Sequence, residues 1–131
     1  FLRLIKKDFP DSEEKIDNIV TNFFPKLVLN MGNSERDVGF GENLRGIIRK
    51  NLGLDIEYLG LLPEEPLARD CVIARKPVSI LYKESKWVVN LQKIANRLLE
   101  FNNYPVTIFE DDVDSLDVVY EDLKFITDEE I

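Results

Sequence analysis

Histidine is absent from this sequence of 131 residues, and cysteine and methionine occur once each, as Cys71 and Met31. Without imidazole and with a single thiol, neither a zinc site of the usual Cys/His type nor a histidine-dependent nucleophilic triad can be assembled. A lone cysteine cannot close an internal disulfide, which fits a reducing, cytoplasmic setting. No apolar run approaches the ~20 residues that span a bilayer, and the first residues lack the charged lead and small-residue cleavage site of an export signal. A glycine-rich loop ending in Gly-Lys-Ser/Thr is missing too, since Gly39, Gly41 and Gly46 do not have its spacing. Nothing in the sequence therefore cradles phosphates or offers the lysine and hydroxyl that engage the β/γ-phosphates and magnesium. The chain opens in an apolar, basic run and its methionine lies well inside it, so further sequence is expected ahead of Phe1.

What is present is an ordinary globular composition, 44% apolar and 32% charged. The net charge of −8 is unevenly placed: residues 1–101 hold 16 basic and 15 acidic side chains, whereas residues 102–131 hold 1 and 10. A nearly neutral body thus carries an acidic tail, and the two are read as separate segments. Such a body gives no electrostatic reason for strong DNA binding. The tail should repel anionic lipid, which speaks against membrane insertion, and it suits a basic protein surface.

Apolar periodicity organises the chain. Ile16, Ile19, Val20, Phe23 and Phe24 have helical spacing, with Asp11 and Glu14 as a cap and Pro25 as a stop. Leu27, Val28 and Leu29 read as a short strand buried on both faces, ending in a loop over residues 30–34. Phe40, Leu44, Ile47, Ile48 and Leu52 mark a second helix, with Gly53 just past its end. Residues 56–62 read as a second buried strand, closed by residues 63–66. Pro66 opens a short helix through Leu67, Cys71 and Ala74 that ends before Pro77. Residues 78–82 fit a strand or an extended link. Ser85 caps a longer helix with the apolar face Val88, Leu91, Ala95, Leu98 and Leu99. In the tail, residues 105–109 suit an edge strand, and Leu116, Val119, Tyr120 and Leu123 suit an acidic helix. Strand, helix, strand, helix is the grammar of an α/β fold with a parallel, helix-covered sheet.

In such sheets ligands bind where loops gather at the carboxyl ends of the strands. The loops at residues 30–34 and 63–66 leave two neighbouring strands and should lie side by side. Asn30, the first polar residue after its strand, offers a donor and an acceptor in one plane, a match for the edge of adenine. A residue that only turns the chain after the strand is the alternative. Arg45, Arg49 and Lys50 form either a basic patch or a solvated helix face with Glu42 nearby.

Residues 24–101 resemble the second half of the MinD/ParA superfamily of deviant P-loop ATPases, most closely its FlhG-like branch. The resemblance rests on the order of elements. They are the strand ending in Val28-Leu29-Asn30-Met31, the helix closed by Leu52-Gly53, Tyr58-Leu59-Gly60, the Pro63-Glu64 turn, Arg75-Lys76-Pro77 and a long final helix. Residues 102–131 have no counterpart in it. The resemblance implies part of a three-layer α/β/α P-loop NTPase fold, incomplete without upstream strands. It also implies that Asn30 contacts adenine, while Pro63, Glu64 and Glu65 close the base and ribose pocket. The parent protein would bind ATP or ADP with magnesium and switch between monomer and homodimer to position a cellular structure. The chain alone would bind nucleotide weakly and hydrolyse none, having no catalytic residues of its own. Arg36 does not sit where the family often places an arginine and receives no role. The second expectation is a non-catalytic protein-interaction module that keeps the ATPase architecture.

Overall fold

A computed structural model describes residues 2–101 and 115–128. Its first elements are α1 (Leu2–Asp8) and α2 (Glu13–Thr21), joined by a 3-10 turn at Pro10–Ser12 and tied by a Lys6–Asp17 ion pair. The cap expected from Asp11 and Glu14 does not form. Ser12 is already helical as the turn runs into α2 (φ −97°, ψ −3°) and makes no capping hydrogen bond, because the chain never reverses there.

The body follows as β1 (Lys26–Asn30), α3 (Glu35–Leu52), β2 (Glu57–Leu62), α4 (Ala68–Ala74), α5 (Val78–Leu81), α6 (Lys86–Phe101) and α7 (Ser115–Thr127). β1 and β2 are parallel and form the sheet among the described residues, with α3 as the crossover that parallel neighbours require. The molecule is thus mixed α/β, mostly helical, around a small parallel sheet. Helices lie on both faces. Tyr58 and Leu61 pack with Val38 of α3 and Val119 and Leu123 of α7 on one side. Leu59 and Leu62 pack with Trp87, Leu91 and Ile94 of α6 on the other.

A bulge makes this alternation possible. Leu27 pairs with Tyr58 and Val28 with Gly60, so Leu59 and Gly60 together oppose one residue of β1. Gly60 takes φ +155°, and a Cβ there would lie 2.6 Å from Ile94, 2.8 Å from Arg97 and 2.8 Å from Asp122. A side chain at this position would be both strained and crowded.

Several expectations shift. β1 is only half-buried rather than covered on both faces. Where a strand or an extended link was expected over residues 78–82, Val78–Leu81 form the short helix α5. Gly53 does end α3 in the left-handed region, at φ +67°. On α3 the apolar face read from the sequence is not the one that meets the sheet: Phe40, Leu44 and Ile47 are 61%, 44% and 56% exposed. The sheet-facing side carries Val38 and Gly41, because at Gly41 the helix comes so close that a Cβ would sit 2.6 Å from the Tyr58 hydroxyl. Ala95, Leu98 and Leu99 of α6 are likewise outside, and Asn90, Ile94 and the partly buried Arg97 face in. The expected strand at residues 105–109 lies outside the described residues. The expected tail helix is α7, and it packs into the same core as β2, with Val118, Val119 and Leu123 buried.

Candidate functional site

The loops leaving β1 and β2 meet at the carboxyl end of the sheet, as their common crossover requires. At Met31 the backbone turns through the left-handed region (φ 60°) and exposes the side chain. That turn returns the Gly32 N–H to the Leu62 carbonyl at 3.0 Å. Gly32 is buried against Leu61, 2.9 Å from where its Cβ would be. Asn33 then holds the two loops together: its Oδ1 accepts from the Glu64 N–H at 3.2 Å.

Asp37, in the first turn of α3, fixes the same loop from the other side. Its Oδ2 accepts from the Asn33 N–H at 2.9 Å and from the Ser34 hydroxyl at 2.8 Å. This resembles the reach of a capping carboxylate back over a helix start, where the backbone also favours negative charge. The hydrogen bond from Asn33, and after it that from Ser34, holds the Asp37 carboxyl below its ordinary pKa.

Asn30 ends β1 with its side chain exposed, and its amide has no hydrogen-bond partner among the described residues. It borders a depression of about 280 Å³ with Leu29, Met31, Asp37, Phe40 and Leu44. Apart from the Asp37 carboxylate at its margin, the side chains around that planar amide are apolar, a surface on which a flat heterocycle can rest while its edge is read. Pro63, Glu64 and Glu65 stand in the adjacent loop but do not line this depression. Pro63 is buried, the Glu64 side chain is exposed, and the Glu65 carboxylate accepts from the Leu67 N–H at 3.0 Å, ordering its own turn ahead of α4. The structure therefore joins the two loops through Asn33 and Glu64 without gathering all four sequence-predicted residues around one hollow. Asn33 and Asp37, which hold the arrangement, were not singled out in the sequence. Their only signal was the turn-forming composition of Gly32-Asn33-Ser34 and an acid three residues after Ser34.

The basic residues of α3 are largely spoken for. Arg45 pairs with Glu42 at 3.1 Å and lies over the Tyr58 ring, 5.1 Å from its centre. Arg49 reaches Asp55 at 2.6 Å. No described helix is long and apolar enough to cross a membrane. Compared with protein-family models, curated proteins and solved structures, the chain matches none.

Proposed function

We propose that the hollow at the end of β1 receives the adenine of ATP or ADP in an ATPase of MinD/ParA type, FlhG-like in its order of elements. The phosphates are held by residues outside this chain. The observation that carries this reading is the unpartnered Asn30 amide beside an apolar floor, at the carboxyl end of a parallel strand. The Asn33–Glu64 hydrogen bond supports it by keeping the neighbouring loop against the same end of the sheet. In this reading Pro63, Glu64 and Glu65 contribute backbone and loop shape near the ribose rather than contacts to the base.

The residues present fit a base and do not fit the rest of the cofactor. No glycine-rich loop is in the sequence, and no described group of three acidic or thiol side chains converges as metal ligands do. The parent ATPase would cycle between monomer and homodimer in the cytoplasm, and this chain would contribute base recognition.

The test is a nucleotide titration followed by NMR on the 131-residue chain. ATP should shift the resonances of Asn30, Gly32 and Phe40, while a nucleotide lacking adenine's donor and acceptor pattern shifts them less. Asn30→Ala should cost about 1–3 kcal/mol of adenine binding, the range for one bidentate base contact, with the melting temperature unchanged. Equal losses for both nucleotides would show that Asn30 merely turns the chain.

A second reading, a non-catalytic interaction module on the same architecture, is favoured by the exposed Phe40, Leu44 and Ile47. Contiguous apolar surface of this kind marks association sites.

A further inference from the structure

Two helices end in the left-handed region, with different residues at the turn. α3 stops at Gly53 (φ +67°), where the lack of a Cβ makes that conformation easy. α4 stops at Arg75 (φ +52°). The Arg75 N–H donates to the Val72 carbonyl and the Lys76 N–H to the Cys71 carbonyl, both at 3.1 Å. These are the two bonds that close a helix whose next residue is left-handed, a place where glycine is the low-strain choice. An arginine there takes on backbone strain and sets a guanidinium on the wall of a hollow.

That hollow, of about 430 Å³, lies between α4 and α5. Ala68, Cys71 and Val72 of α4 line it with Pro77 and Val78 at the start of α5, and Arg75 and Lys76 line it from the turn between them. The lining carries cations and apolar groups but no carboxylate. Val72, Ile73 and Ile80 of these helices are 76%, 72% and 59% exposed. Arg69 on α4 and Lys83 just past α5 are exposed too. None of these four cationic side chains takes part in a hydrogen bond or ion pair among the described residues, whereas Arg49, Lys93 and Arg97 each face a carboxylate.

The charge of the region runs against that of the chain. Residues 67–84 hold four basic and two acidic side chains, in a chain of net charge −8. Helical spacing turns one of the acids, Asp70, away from the side of α4 that lines the hollow. An apolar hollow edged by unpaired cations suits a segment that presents an apolar side chain and carboxylates together. A lipid surface suits it less. α4 and α5 have seven and four residues, far fewer than helices that lie in an interface plane, and the net charge is repelled by anionic lipid.

We propose that α4 and α5 bind an acidic amphipathic helix of a partner protein. One apolar side chain of the partner fills the hollow beside Val72 and Val78, and carboxylates on its neighbouring turns meet Arg75, Lys76, Arg69 and Lys83. The Arg75 guanidinium takes a carboxylate through two parallel bonds, which glycine at the same turn could not do. This recognition uses no nucleotide and does not rest on the adenine reading.

Fluorescence anisotropy on the 131-residue chain tests it. The probe is a labelled, end-capped helical peptide with leucines along one stripe and glutamates elsewhere. The expected result is a micromolar dissociation constant that rises with salt, and no binding of the same peptide with lysines in place of the glutamates. Arg75→Gly should weaken binding about tenfold, the effect of one charge-assisted contact. Its melting temperature should match the parent's, because glycine suits φ +52°. Val72→Glu, at an exposed position, sets a carboxylate on the hollow and should abolish binding with the far-UV spectrum unchanged. No binding up to millimolar peptide, equal affinity for the lysine peptide, or an indifferent Arg75→Gly overturns the proposal. So does retention on phosphatidylserine vesicles that Val72→Glu abolishes, which would make the surface a lipid contact. Self-association of the chain that Arg75→Gly abolishes would make the occupant a second copy, and overturns it as well.

Discussion

The two edges of the sheet meet the same demand in different ways. Buried backbone N–H and C=O groups must find partners. On β2 the partners are side chains delivered by two helices, Asn90 and Arg97 of α6 and Ser115 and Asp122 of α7; on β1 the outward backbone groups of Val28 and Asn30 have none among the described residues. β2 is correspondingly buried along nearly its whole length, whereas β1 is half-exposed. An edge can thus be finished without a further strand, provided that polar side chains reach it from an apolar interface. Asp122 is the centre of this finish. Its side chain is 1% exposed, accepts from the Leu61 N–H, and receives Arg97 through two bonds of 2.9 and 3.1 Å. Lys93 stands 3.7 Å away, over the Phe125 ring.

The strongest way to break the contrast is to open the closed edge. Asp122→Ala strands the partly buried Arg97 and leaves the Leu61 N–H without an acceptor. It should cost about 3–5 kcal/mol, the range for removing one partner of a buried ion pair. Asp122→Asn keeps an acceptor for the N–H and should cost less. Urea denaturation checks both, and a loss for Asp122→Ala no larger than that of an exposed acid would show that α7 does not seal β2.

Gly60 lies beneath the same pair. Gly60→Ala forces an alanine into φ +155° and into contact with Ile94, Arg97 and Asp122. Backbone strain and overpacking together should cost about 2–3 kcal/mol. Gly46, where an added Cβ meets nothing within 4 Å, is the control: Gly46→Ala, within α3, should be neutral or stabilising. Equal melting temperatures for the two variants would refute the role given to the bulge.

The smallest effect is confined to the loop at the carboxyl end of β1. A carboxyl held below its ordinary pKa contributes stability that is fully present above the ordinary value. That contribution is lost as pH falls through the lowered one. The Asn33 amide resonance should therefore titrate with a midpoint below the usual aspartate range, and Asp37→Asn should abolish that step. A midpoint at or above the ordinary value would show that the Asn33 and Ser34 contacts do not hold Asp37 in solution.

The sequence by itself determined the parallel strand pair, the crossover helix, the left-handed end of that helix at Gly53 and the meeting of two loops at one end of the sheet. Each follows from local apolar runs and from the few ways in which a crossover can connect two strands. Tertiary structure alone decided which helix faces turn inward. Periodicity assigns polar residues to solvent, so nothing in the sequence singled out Asn90, Arg97, Ser115 and Asp122, and the faces of α3 and α6 were drawn through Phe40, Leu44, Leu98 and Leu99. These four polar residues lie inward because a strand edge offers backbone groups that only polar side chains can satisfy. No pattern in the sequence records where that edge will fall. The same reason hid the role of α7: ten acidic residues against one basic residue over 102–131 read as an acidic tail separate from the body, whereas one of those acids, Asp122, is buried against the edge of β2.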